Sequence, residues 1–252
     1  MRLCAVIPTY NHADRLGEIA QSLAARGVDI LIIDDGSDDP ARGIIAALDQ
    51  LEGRVKVFRQ PENGGKGAAM VRGFKEAIAL GFSHALQIDA DGQHDLGDLD
   101  AFVAAAQRDP DALICGQARY DESVPKARLY GRYITHFWVW VETCSFDIAD
   151  SMCGYRLYPL NAVAALLDSG QAIARRMDFD TDIAVRLHWR GTRVINIPTK
   201  VIYPPGNTSN FNMLRDNVRI SWMHTRLVCQ APFRLLGKAL RPRQSKRVNA
   251  PA

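Results

Sequence analysis

The chain has 252 residues, 47% hydrophobic and 23% charged, a globular balance that excludes a disordered, collagen-like or coiled-coil chain. Net charge is +3, but eight basic residues and no acidic one follow Asp216, so an acidic body carries a basic end. Five cysteines without a CxxC pair or metal-ligand spacing exclude a zinc module and fit reduced thiols in the cytoplasm. Neither a signal peptide nor a membrane-length apolar run is present, so the chain is not expected to cross a bilayer.

Short apolar runs at Leu3–Ile7, Ile30–Ile33, Val55–Phe58, Ala85–Ile88 and Ala112–Cys115 read as buried strands. Between them, Ala13–Ala25, Ala41–Leu51, Gly67–Leu80 and Leu96–Gln107 have the three- and four-residue spacing of amphipathic helices. The alternation predicts an α/β fold, a mostly parallel sheet with helices on both faces. Later, Cys153–Arg156 reads as a turn, and Val194–Ile197 and Val201–Tyr203 as strands around Pro198. No internal repeat is present.

Parallel sheets gather ligands at the carboxyl ends of their strands, and here those ends are acidic. Asp89 and Asp91 flank one residue at a strand mouth, so both carboxylates can point the same way and suit a hard divalent cation, Mg²⁺ or Mn²⁺. A plain acidic surface turn is the alternative; an EF-hand is not, because Gly92 is at the wrong position. Asp34-Asp35-Gly36-Ser37 fits an ordinary strand-to-helix turn or a carboxylate accepting hydrogen bonds from a ribose or base. Asn63-Gly64-Gly65-Lys66-Gly67 can offer amides and one ammonium to an anion, or serve only as a glycine turn; it is not a Walker loop. Arg119, Lys126, Arg128 and Arg132 lie near Tyr130, Tyr133, Phe137, Trp138 and Trp140, either a phosphate site beside aromatics that receive an apolar ligand or the membrane interface, or a solvated basic face over a buried helix. Of Asp178, Asp180 and Asp182, two read as helix-start residues and one as a candidate base.

As an ordered set, Val6-Ile7-Pro8-Thr9-Tyr10-Asn11, the Asp34, Asn63 and Asp89 motifs and Cys153-Gly154-Tyr155-Arg156 resemble the inverting nucleotide-sugar glycosyltransferases of the family that contains dolichyl-phosphate mannose synthase. The resemblance implies a GT-A-like single domain. Pro8, Thr9, Tyr10, Asp34, Asp35, Lys66 and Asp89 would bind the donor, and Asp89, Asp91 and Gln93 the metal, with Asp91 the more critical. Arg119, Arg128, Arg132 and Thr135 would hold the acceptor. Asp182 falls where relatives with hydroxyl acceptors carry a catalytic base, usually Glu, and Asp180 competes with it. The stretch from Tyr203 to Phe211 looks more like soluble transferases found with bacterial aryl-polyene or lipid biosynthesis.

The expected activity is metal-dependent, inverting transfer from a UDP- or GDP-sugar to a lipid-linked acceptor, either a polyprenyl phosphate or a lipid hydroxyl. The expected organisation is a catalytic domain over 1–212, with a donor half 1–118 and an acceptor half 119–212, then an amphipathic basic tail over 213–252. The tail would meet the inner face of the membrane as a peripheral contact, or pack on the domain. Nucleic acid is not an expected partner, although a non-catalytic binding protein is one alternative; a sugar-nucleotide-forming nucleotidyltransferase is another.

Overall fold

The computed structural model describes residues 1–119, 126–201 and 212–239. Its sheet has seven strands in the order β3-β2-β1-β4-β6-β5-β7. The first four are β1 (Leu3–Thr9), β2 (Asp29–Asp34), β3 (Val55–Arg59) and β4 (His84–Gln87), all parallel. Then β5 (Leu113–Arg119) and β7 (Val194–Lys200) pair in parallel, and β6 (Arg156–Pro159) lies antiparallel between β4 and β5.

Alternation along the strands divides the core in two. Cys4, Val6, Leu31 and Ile33 face α3 (Lys66–Ala79), α6 (Leu160–Asp168) and α7 (Phe179–Trp189), with α5 (Lys126–Thr143) and α8 (Met213–Ala239) in the same apolar cluster. Ala5, Ile7, Ile30 and Ile32 face α1 (Leu16–Ala25), α2 (Ala41–Ala46) and α4 (Leu99–Arg108). Helices therefore cover both faces of a mostly parallel sheet, as the alternating pattern requires.

Several boundaries differ from the sequence expectation for local reasons. The second helix stops at Ala46 because Gln50 and Glu52 take positive φ angles of 66° and 50° and the Gln50 amide donates to the Val55 carbonyl, 2.9 Å. Leu96–Asp98 is a 3-10 turn, with Asp95 accepting from the Gly97 amide, and α4 begins after it. Pro198 does not interrupt β7; β7 is an edge strand, where a missing N–H costs no ladder bond. The turn expected at Cys153–Arg156 leads into β6, whose Arg156 already pairs in register with Gln87. Residues 202–203, expected as strand, lie outside the described residues.

The segment expected to be a tail begins as α8, which packs on α5 and α7. Met223, Leu227 and Ala231 are buried, and His224 Nδ1 and Glu142 Oε1 of α5 are 2.6 Å apart. No described helix is long and apolar enough to cross a membrane.

Candidate active site

Strand register builds the site. β1 pairs Thr9 with Asp34 on one side and Val6 with Gln87 on the other, so Pro8–Thr9 stand level with the residues that follow β2 and β4. Thr9 is buried, its hydroxyl donating to the His12 carbonyl at 2.7 Å. Tyr10, half-buried, continues the same edge.

Asp34 closes the β2 turn by accepting from the Ser37 amide, 2.8 Å, and pairs with Arg59. Asp35 turns toward the glycine loop: Oδ1 accepts from the Gly64 amide at 2.9 Å and Gln60 Nε2 at 2.6 Å, and Oδ2 from the Gly65 amide at 2.7 Å. Burial raises the Asp35 pKa, and those amides and Arg176 oppose the rise. Arg176 fastens the loop, its Nη1 donating to Asn63 Oδ1 at 2.5 Å. Gly67 lets this happen, since a Cβ there would sit 2.3 Å from the Ala174 carbonyl oxygen.

Lys66 stands between two carboxylates, 2.7 Å from Asp89 Oδ1 and 2.8 Å from Asp180 Oδ2. Burial works against its charge, but Asp180 and Asp89 outweigh burial and hold its pKa above the ordinary lysine value. Burial likewise acts to raise the Asp89 pKa, yet Lys66 and His94 bring it below the usual carboxylate range. Gln87 Nε2 donates to Asp180 Oδ1 at 2.7 Å, and Gln87 Oε1 accepts from the Tyr158 hydroxyl at 3.0 Å. Arg156, fully buried, donates to the carbonyls of Cys153, Ser151 and Asp180. Gly154 packs directly on Asp89: a Cβ would lie 2.3 Å from Oδ2.

Asp91 accepts the Gln93 amide at 3.0 Å. Burial and the charge of Asp89 push its pKa up, a repulsion that a divalent cation bound by both oxygen donors would relieve. Among the described residues, no three His, Cys, Asp or Glu side chains form a complete metal cage. The pair therefore fits a cation only as part of a shell shared with ligand oxygens.

The structure does not bring all the expected residues together. Asp182 has no exposed side-chain surface: Oδ2 accepts from the Ala174 amide and Arg186 Nε, both 2.9 Å, and Oδ1 from Arg226 at 3.2 Å. These partners separate it from the Lys66–Asp89–Asp180 network, which Asp180 joins instead. Arg132 pairs with Asp150 at 2.7 Å, Thr135 is buried on α5, and Arg119 is exposed at the end of β5. The Arg128 side chain lies outside the described residues. Sequence reasoning missed Gln60, Gln87 and Arg176, none of which carries a motif signal; only the register and the loop before α7 bring them here.

The family profile described as Glycosyl transferase family 2 matches residues 4–160. The chain is 24% identical over 215 residues to the UDP-N-acetylglucosamine–dolichyl-phosphate N-acetylglucosaminyltransferase of Methanococcus voltae, covering 79% of this chain and 84% of that protein. It is 28% identical over 214 residues to the polyprenol monophosphomannose synthase of Mycolicibacterium smegmatis, covering 78% and 76%. Among solved structures, glucosyl-3-phosphoglycerate synthase from Mycobacterium tuberculosis, in complex with Mn²⁺ and UDP-glucose, shares the fold. Its TM-score is 0.62 at 14% identity, covering 96% of this chain and 80% of that one.

Proposed function

The chain belongs to glycosyl transferase family 2, and from that premise we propose that it moves a sugar from a nucleoside-diphosphate sugar to a lipid-linked phosphate, with inversion. The observation that favours phosphate over hydroxyl is the state of the α7 carboxylates. A hydroxyl acceptor needs a base, but Asp182 is enclosed by Arg186 and Arg226, and Asp180 is held by Lys66 and Gln87. A phosphate acceptor is already ionised near neutral pH and needs no proton removed. The names of the two curated relatives, a dolichyl-phosphate transferase and a polyprenol monophosphomannose synthase, support the same choice.

In this reading the nucleotide lies across Pro8–Tyr10, Asp34 and Asp35, with Lys66 and Asp89 toward the diphosphate. An acceptor phosphate oxygen, held by Arg119, Arg128 and Arg132 on the side of Thr135, attacks the anomeric carbon from the face opposite the leaving group. The bond from that carbon to the diphosphate oxygen breaks, and the nucleoside diphosphate takes the electron pair. Asp89, Asp91 and Gln93 would hold Mg²⁺ or Mn²⁺, which supplies charge neutralisation on the departing diphosphate. The catalytic body spans 1–212, with donor half 1–118 and acceptor half 119–212, and the basic end over 213–252 meets an anionic membrane surface.

The test is transfer of labelled sugar from UDP- and GDP-sugars, with each metal, to a short polyprenyl phosphate and to the matching alcohol. We expect transfer to the phosphate only, abolished in Asp91→Asn; transfer to the alcohol alone would overturn the reading. The cognate nucleotide at about 100 times its dissociation constant should raise Tm by roughly 5–10 °C.

A further inference from the structure

The face opposite the buried sides of α5 and α8 is apolar. On α5, Thr135, Val139, Glu142 and Thr143 point inward, while Tyr133 and Phe137, 57% and 55% exposed, point outward with Trp138. On α8, Asp216, Met223, Leu227 and Ala231 are buried, and Val218, Trp222 and Phe233 are 61%, 67% and 78% exposed. The two helices pack on each other and on α7, so both outward stripes belong to one layer of the molecule. Large aromatic side chains gathered in this number on a surface mark a contact face.

Charge identifies the occupant. The only acidic residue of α5 is Glu142 and the only one of α8 is Asp216, and both are buried. Arg215 and Arg234 are exposed on α8, while Arg219 and Arg226 pair with the buried Asp216 and Asp182, and the sequence beyond Ala239 adds Arg241, Arg243, Lys246 and Arg247. Apolar and aromatic groups bordered by cations, with no exposed carboxylate on either helix, match the headgroup and acyl boundary of an anionic bilayer.

We infer that α5 and α8 together form one membrane-docking platform, in which the outward side chains enter the interface and the basic end adds electrostatic attraction. The inference rests on the lipid-acceptor reading and deepens it: the stretch Arg128–Thr135, assigned to the acceptor, lies on the same α5 that seats on the lipid. It also shifts the principal contact from the basic end to a two-helix surface of the folded body.

Full-length protein would be co-sedimented with vesicles of phosphatidylcholine alone and with phosphatidylglycerol added. Phe137→Ser with Trp138→Ser would be compared with Trp222→Ser with Phe233→Ser and with a chain ending at Ala239. Wild type should partition to the anionic vesicles, and each paired variant should lose at least tenfold, more than the shortened chain loses. Unchanged binding by the α5 pair would overturn the platform, as would wild type that stays in the supernatant. A wild-type dimer that the substitutions convert to monomer, with no vesicle binding, would assign the face to a second copy. Transfer to a short, water-soluble polyprenyl phosphate without vesicles reads the other hypothesis separately. Both paired variants should keep it, and its absence in wild type would overturn the acceptor reading while leaving docking to the vesicle result.

Discussion

The carboxylates of the two halves of the sheet are held by different means, apart from Asp34 and Asp89, which pair with Arg59 and Lys66 in the first half. Beside β1, β2 and β4, Asp35 and Asp91 rest on backbone amides of Gly64, Gly65 and Gln93. Toward β5–β7, Asp180 is held by Lys66, while Asp150 and Asp182 combine the cations Arg132, Arg186 and Arg226 with the amides of Ala118, Met152, Cys153 and Ala174. An amide orients a carboxylate and leaves its charge to act on a ligand, whereas a guanidinium or ammonium neutralises it. Asp35 and Asp91 therefore keep a charge that, in the proposed reading, a cation or a nucleotide's donors would meet, whereas the paired Asp150 and Asp182 hold helices in place.

The sharpest break of that contrast is Arg156→Leu, which strands three buried carbonyls beside the second half. It should cost about 3–5 kcal/mol, read from urea unfolding. Next, Asp182→Asn should lower stability by about 3 kcal/mol because it leaves Arg186 and Arg226 facing a neutral group. Turnover per folded molecule should fall far less than the roughly 10²-fold expected on removing a catalytic base. A severe loss of transfer with intact nucleotide binding would instead return Asp182 to the chemistry and favour a hydroxyl acceptor.

Gly154→Ala tests the donor half from the other side. Its Cβ would press on Asp89, so transfer should drop about 10–100-fold, with a smaller loss of stability than Arg156→Leu gives. The smallest effect concerns acid. Asp150 is buried, which opposes its charge, but His136 and Arg132 outweigh burial and hold its pKa below the ordinary value. A depressed folded pKa contributes stability above the unfolded value, near 4, that is lost as pH falls through and below it. Unfolding measured from pH 6 down to pH 3 should show about 1–2 kcal/mol of this loss in wild type, missing in Asp150→Asn.

Legibility followed the same division. Strands β1, β2 and β4 are buried along most of their length, and β2 and β4 run into acids, so strand, helix and candidate ligand could be read from local spacing. Gly64–Gly65 and Asp35 were both visible, though not their mutual hydrogen bonds. In the second half, Arg-Leu-Tyr-Pro does not look like a central strand, because a buried arginine becomes tolerable only when distant carbonyls receive it. Asp180 and Asp182 are chemically identical in sequence, and only the helix turn between them sends one to Lys66 and the other to Arg186.

The reversed strand β6 has a consequence for how such a chain can be altered. The polypeptide leaves the sheet at the end of β5 and re-enters beside it, with Ile114 opposite Leu157 and Cys115 opposite Arg156. α5 lies within the excursion between these adjacent rungs. The outward side chains of α5 can be rewritten while β1, β2 and β4 keep their alignment, so that surface can diverge while the edge carrying Asp35 and Asp91 stays fixed; Gly154, in the same excursion but packed on Asp89, cannot.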